Sequence, residues 1–203
     1  MSIGSIGAII LAAGMSTRMG EFKPVIPLRG KPLLHFPIEV AAECGLGPIV
    51  VVGGYCIDEL RSCAAPFKQL SIVENRDYAS GIGSSLRLGI EAVTGRTDAV
   101  FIFLADQPLV SPVVVVAMLE QYRRMRSEGA RILRPVYAGM PGHPVLFDAE
   151  LYTEFATIQG DEGGKSIISG HRSELLLMRF DQTEWGIDVD TPQDLLDLKG
   201  FCK

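Results

Sequence analysis

The sequence predicts an α/β protein with a mostly parallel central sheet between two helical layers. Three observations carry that prediction. Short apolar runs rich in Val, Ile and Phe alternate with helix-like segments through the first part of the chain. These runs are apolar at successive positions, as strands covered on both faces require. The connections between them suit right-handed crossovers rather than hairpins. The 203 residues suffice for one such domain with a large core and are few for two. The expectation is a Rossmann-like three-layer sandwich forming a single domain over residues 1–203.

The elements follow in order. "GAIILAAG" (7–14), "GPIVVVGG" (47–54), "LSIVEN" (70–75) and "AVFIFLAD" (99–106) read as buried parallel strands. Helices are expected at 32–44, 57–64, 83–92 and 112–126. Pro32 and Pro112 suit first-turn positions, and Ser111 precedes the latter as an N-cap. After about residue 130 the pattern changes. "ARILRPVYAGMPGHPVLFD" reads as two strands around a Gly/Pro turn, so this end should be antiparallel. "SELLLMRFD" (173–181) adds a strand, and "TPQDLLDLK" (191–199) a closing helix with Thr191, Pro192 and Asp194 forming a capping box. The basic run "YRRMR" (122–126) reads as a solvated helix end.

Composition excludes several classes. A net charge of −5 argues against nucleic-acid or anionic-membrane partners. No apolar run approaches the roughly 20 residues that span a bilayer. The opening "MSIGSIGAII" lacks a basic n-region and cleavage site, so a cytoplasmic protein is expected. Cys44, Cys56, Cys63 and Cys202 form no C-x-x-C pair and lie far from His35, His143 and His171, which argues for reduced thiols rather than zinc.

The chemistry concentrates at the ends of strands. "LAAGMSTRMGEFKP" (11–24) follows the first strand, on the sheet edge where open α/β folds bind ligands. Ala12, Ala13 and Gly14 leave room for a ligand against the backbone, and Gly14 can take a positive φ. Arg18 and Lys23 supply the donors a polyphosphate needs. The two common phosphate-loop templates fail: "QGDEGGKS" (159–166) has Gln159 at the first glycine position, and "GIGSSL" has Leu86 at the third. Asp106 ends an apolar strand in "FIFLADQPLV", and an ionised carboxylate there needs a partner. Asp188 and Asp190 alternate onto one face ahead of the last helix. Acidic strand ends beside a basic Gly-rich loop suit Mg²⁺ holding a nucleoside triphosphate.

Taken together, "LAAGMSTRMG…K", "LADQPLV", "GHPVLF", "GDEGGKSII" and "IDVDTPQDL" resemble the nucleotidyltransferase superfamily with a glycosyltransferase-A-like fold. Their order is similar to that of the MobA-like branch that modifies molybdopterin, above all the molybdenum cofactor cytidylyltransferases. The resemblance implies Mg²⁺-dependent transfer of CMP from CTP to molybdopterin, whose product would pass to a molybdenum enzyme. It divides the chain into a nucleotide-binding half (about 7–110) and an acceptor-binding half (about 111–203).

The resemblance also implies residue roles. Gly14, Ser16 and Arg18 would wrap the triphosphate, Lys23 would contact the α-phosphate, and Asp106 and Asp190 would hold Mg²⁺, making Arg18, Lys23 and Asp106 the catalytic set. Ala13 replaces a glycine that makes room for a purine in guanylyltransferase relatives, favouring a pyrimidine. "SGIGSSLRLG" is similar to the base-recognition loop, which places Gly81, Ser84 and Ser85 at the cytosine. Gln107, Gly142, His143, Gly164 and Lys165 would meet the acceptor, His143 shaping the pocket rather than moving a proton. Three departures stand out: Pro24 replaces a usual leucine, "LADQP" replaces "GDQP", and Lys165 replaces a common arginine. A sugar phosphate is the alternative acceptor, and a non-catalytic nucleotide binder the alternative role.

Overall fold

A computed structural model of the chain describes residues 4–200. Cys202 therefore lies outside the described residues, and Cys44, Cys56 and Cys63 are free thiols. Ten strands and six α-helices follow in chain order: β1 (Ile6–Ala12), β2 (Pro27–Leu28), β3 (Lys31–Pro32), α1 (His35–Glu43), β4 (Ile49–Gly53), α2 (Ile57–Ala64), β5 (Leu70–Glu74), α3 (Ile82–Val93), β6 (Ala99–Leu104), α4 (Pro112–Met125), β7 (Ile132–Tyr137), β8 (Met140–Pro141), β9 (Val145–Asp148), α5 (Lys165–Gly170), β10 (Leu175–Phe180) and α6 (Pro192–Gly200). A 3₁₀ stretch, Ala149–Thr157, joins β9 to the loop before α5.

The main sheet has the order β10-β7-β9-β6-β1-β4-β5, with β8 hydrogen-bonded to β7. β5, β4, β1 and β6 are mutually parallel. The antiparallel character expected at the C-terminal end is confined to β9, which opposes both β6 and β7, and to the short β8. β10 instead runs parallel to β7, because α5 carries the chain back across the sheet.

Every residue of β1 is buried, which explains why its sequence shows no alternation. Its even-numbered side chains (Ile6, Ala8, Ile10, Ala12) join a core with residues of α1, α2 and α4. Its odd-numbered ones (Ile9, Leu11) pack against Leu86, Ile90 and Val93 of α3 and Leu151, Tyr152 and Phe155 of the 3₁₀ stretch. That opposite-face alternation makes the three layers. A third cluster joins Met19, Ile26, Leu28 and Leu33 to Val189 and Leu198. It pins the loop after β1 to the segment before α6, from opposite ends of the sequence.

Helix punctuation follows the sequence in two places and departs from it in one. Ser111 caps α4 by accepting a hydrogen bond from the Val113 N–H at 3.2 Å. Thr191 and Asp194 form the expected reciprocal cap of α6, the Thr191 N–H donating to Asp194 at 2.7 Å. Pro32 does not open a helix. It pairs with Pro27 in the β2–β3 ladder, and α1 starts three residues later.

One buried ion pair ties two layers. Asp148 is fully buried and accepts from Tyr122 Oη at 2.6 Å, Arg126 Nε at 2.8 Å and the Glu150 N–H at 2.9 Å. Burial alone would raise its pKa, but those donors together hold it below the ordinary 3.8. A depressed carboxyl stabilises the fold above its unfolded pKa and loses that contribution as pH falls through the folded one. Asp148→Asn should therefore cost on the order of 3 kcal/mol at neutral pH, leaving Arg126 unpaired. Urea titration at pH 7 and pH 3 checks this, and the gap between wild type and variant should shrink as pH falls below about 4.

Candidate active site

The loop after β1 is folded by its own side chains. Left-handed backbone falls at Ser16 (φ 54°) and Gly20 (φ 77°), and not at Gly14 as the sequence suggested. The Ser16 hydroxyl accepts from the Lys23 N–H at 3.0 Å, so it closes the loop on itself. Buried Met19 and Phe22 anchor the loop, while Gly14 and Arg18 face solvent. Pro24 is also accounted for. It sits in the first turn of the 3₁₀ helix Lys23–Val25, where a missing N–H costs nothing, and its carbonyl accepts from the Leu34 N–H at 3.0 Å.

Tertiary structure brings the charged residues together. The Val189 N–H donates to the Asp106 carbonyl at 2.8 Å, fastening the segment before α6 to the end of β6. Asp106 and Asp190 thereby face the same ammonium: Lys23 Nζ lies 2.9 Å from Asp106 Oδ2 and 2.7 Å from Asp190 Oδ1. Arg18 reaches the second oxygen of Asp190 at 3.0 Å. Burial works against the charge on Lys23, but the two aspartates outweigh it and hold its pKa above the ordinary value. Hydrogen bonding from Lys23 holds Asp190 below its ordinary value, the charges of Lys23 and Arg18 adding to this. Asp188 accepts from Gln107 Nε2 at 2.8 Å. Desolvation raises its carboxyl above the usual range, and the like charges of Asp106 and Asp190 push the same way.

These residues fit a divalent cation of the Mg²⁺ or Mn²⁺ type. A single cationic atom already bridges Asp106 and Asp190, so one ion can reach both. Among the described residues no group of three or more His, Cys, Asp or Glu side chains could hold an ion without outside ligands. A small hard cation is usually held in this way, by one or two carboxylates with substrate phosphates and water filling the rest.

Two cavities adjoin here, and the first reaches Asp106. The first, about 380 Å³, is lined by Ala13, Gly14, Tyr78, Gly81, Ser85 and Asp106 among others. It unites residues the sequence assigned to triphosphate and base. Ala12 lies buried at the end of β1 behind it. Ser84 does not join them. Its hydroxyl is held by Asn75 Nδ2 at 2.8 Å and faces a different groove, and Asn75 holds Ser85 at 2.9 Å as well. Gly81 is required sterically: at φ 109°, a Cβ there would lie 2.4 Å from the carbonyl carbon of Gly160. The Gly160–Asp161 turn also caps α3, its two acceptors taking the Gly83 N–H at 2.9 Å and the Ile82 N–H at 3.3 Å.

The second cavity, about 190 Å³, is lined by three of the residues the sequence assigned to the acceptor, His143, Gly164 and Lys165, and by Arg134. Gly142 contributes differently. Its Cα packs against the Tyr137 ring, where a Cβ would come within 2.5 Å, and its carbonyl accepts from Arg134 Nε at 3.2 Å. Leu11, Ile82 and Asp161 line both cavities, so residues from the two halves of the chain share one wall. The sequence reading missed Arg134, Asn75 and Asp161. Arg134 had a visible signal, an arginine within the apolar strand "ILRPVY".

Residues 8–175 match the model of the MobA-like NTP transferase domain, most of the chain. The chain belongs to the MobA-like NTP transferase family. Among its relatives is the molybdenum cofactor cytidylyltransferase of Escherichia coli (strain K12), 28% identical with 97% of each chain covered. The nicotine blue oxidoreductase of Paenarthrobacter nicotinovorans is 30% identical, covering 95% of this chain and 96% of that one. Among solved structures, Rv0371c of Mycobacterium tuberculosis H37Rv superposes with a TM-score of 0.82 at 26% identity, with 98% of each chain covered. The same Mycobacterium protein has been solved in complex with manganese, superposing with a TM-score of 0.76 at 25% identity over 96% of this chain and 98% of that one. As a MobA-like NTP transferase the protein is a nucleotidyltransferase, a class that works with divalent metals. Among the described residues no helix is long and apolar enough to cross a membrane.

Proposed function

We propose that the protein transfers CMP from CTP to the terminal phosphate of molybdopterin, releasing pyrophosphate. The observation that carries this reading is the bridge of Lys23 between Asp106 and Asp190, at the mouth of a cleft walled by Gly14, Ala13 and Gly81. The cytidylyltransferase relative, matched along nearly its whole length, supports the choice of nucleotide and acceptor. Ala13 on the cleft wall narrows the base site and favours a pyrimidine.

An acceptor phosphate oxygen attacks the α-phosphorus in line, the bond to the β-phosphate oxygen breaks, and pyrophosphate carries away the electron pair. A phosphate monoester is already ionised near neutral pH, its second pKa being about 6, so no general base is needed. Arg18 and Lys23 neutralise the triphosphate, and Asp106 and Asp190 would hold Mg²⁺, which supplies further neutralisation of the leaving group. Rate then comes from positioning and charge.

Pyrophosphate release, measured for the four NTPs against molybdopterin and several sugar 1-phosphates with and without Mg²⁺, tests the reading. CTP with molybdopterin and Mg²⁺ should give the highest rate. Release driven by a sugar 1-phosphate alone would replace molybdopterin as acceptor. Tight CTP binding with no turnover on any acceptor would make the protein a non-catalytic binder.

A further inference from the structure

The second cavity sets His143 and Arg134 over an apolar base, with Asp161, Glu162 and Lys165 in the same lining. His143 sits at its wall, and its Nδ1 lies 3.3 Å from the Ile102 carbonyl. A carbonyl only accepts, so Nδ1 carries the proton and Nε2 keeps a bare lone pair. Nε2 has no hydrogen-bond partner among the described residues, yet it is not one of the atoms sealed from solvent without a partner, so it opens onto the cavity. Burial lowers the imidazole pKa to about 4, with the neighbouring Arg134 charge adding to this, and the ring stays neutral in the physiological range.

Arg134 supplies the complement. Its Nε donates to the Gly142 carbonyl at 3.2 Å and one terminal nitrogen to the Pro141 carbonyl at 3.4 Å. No carboxylate lies within ion-pair distance of it among the described residues, and its other terminal nitrogen is left with donors to give. Ile102, Val145, Phe147 and Ile168 supply apolar walls. At about 190 Å³ the space takes one end of a substrate. A whole small-molecule ligand usually fills about 300 Å³ or more.

We propose that this cavity recognises the lactam edge of a flat heterocycle, His143 Nε2 accepting its ring N–H and Arg134 donating to the adjacent carbonyl. A phosphate dianion fits poorly. It brings lone pairs against the lone pair of Nε2, and the carboxylates of Asp161 and Glu162 offset the charges of Arg134 and Lys165 in the same lining. An N–H beside a C=O satisfies both groups at once and leaves the ring between the apolar walls. The shared wall of Leu11, Ile82 and Asp161 sets that ring next to the nucleotide cleft. A pterin carries such an edge, so the inference rests on the acceptor reading above for the identity of the ring.

The test uses 6-hydroxymethylpterin, which is fluorescent and has no phosphate, titrated into the whole protein. The wild type should bind it, and the N3-methylated pterin, lacking the ring N–H, should bind at least tenfold more weakly. His143→Phe and Arg134→Met should each weaken the unmethylated pterin about tenfold or more, with His143→Gln, which keeps an acceptor oxygen, recovering part of the loss. CTP affinity, unchanged in these variants, shows that they fold. Equal binding of the methylated and unmethylated rings would overturn the proposal, as would displacement of the pterin by millimolar inorganic phosphate or no binding at all. The methylation comparison needs no variant. Pterin binding without CTP-dependent turnover of molybdopterin would refute the acceptor reading and leave the pocket standing. Normal KM for molybdopterin in both variants would refute the pocket and leave the reaction standing.

Discussion

Asp106→Ala abolishes Mg²⁺-dependent pyrophosphate release, by about a thousandfold or more, on the order of 4 kcal/mol of transition-state stabilisation. The carboxylate stands in the turn two residues past β6, where its backbone carbonyl is already fixed by Val189 and its side chain is shared with Lys23. Removing it would leave Asp190 as the one carboxylate of the pair to hold the metal in the proposed reaction. The side chain is 28% exposed, so the sheet should survive its loss. Circular dichroism and thermal unfolding near the wild-type values, with turnover gone, are the expected pair of results. Near-normal pyrophosphate release would remove Asp106 from the chemistry.

Lys23→Met separates two roles of one ammonium. The side chain is 15% exposed and held by both aspartates, and in the proposed reaction its charge acts on the α-phosphate. Loss of a charge that acts on the transferring group lowers kcat and kcat/KM together, by about a hundredfold to a thousandfold. A raised KM with unchanged kcat would assign Lys23 to ground-state binding instead. The variant should also bind Mn²⁺ more tightly than the wild type, because Asp106 and Asp190 then face each other with no cation between them. Mn²⁺ titration without nucleotide reads this directly, and an unchanged affinity would mean that Lys23 does not compete for the carboxylates.

Much of this site was legible in the chain because its residues stand at the ends of long apolar strands. Asp106 after "FIFLA" and the alternating Asp188 and Asp190 are readable as groups that need partners. Ser84 misled, because a serine at the start of a helix looks available until a buried Asn75, nine residues away, is seen to hold it. Arg134 went unweighed because its value depends on lacking a carboxylate, which is a fact about neighbours. Pro24 looked anomalous against relatives and became ordinary once the 3₁₀ turn was seen.

What the sequence by itself determined was the layering. Runs apolar at every position demand cover on both faces, and helical punctuation at Ser111 and Thr191 follows from local hydrogen bonding. What only the tertiary structure decided was which distant groups meet. Lys23 and Asp190 are separated by 167 residues. The contacts that join them, Val189 to Asp106 and the Met19–Val189 cluster, are non-local and leave no periodic trace in the chain. Local propensity acts over a few residues, whereas burial and charge pairing act on whatever the fold places within a few ångströms.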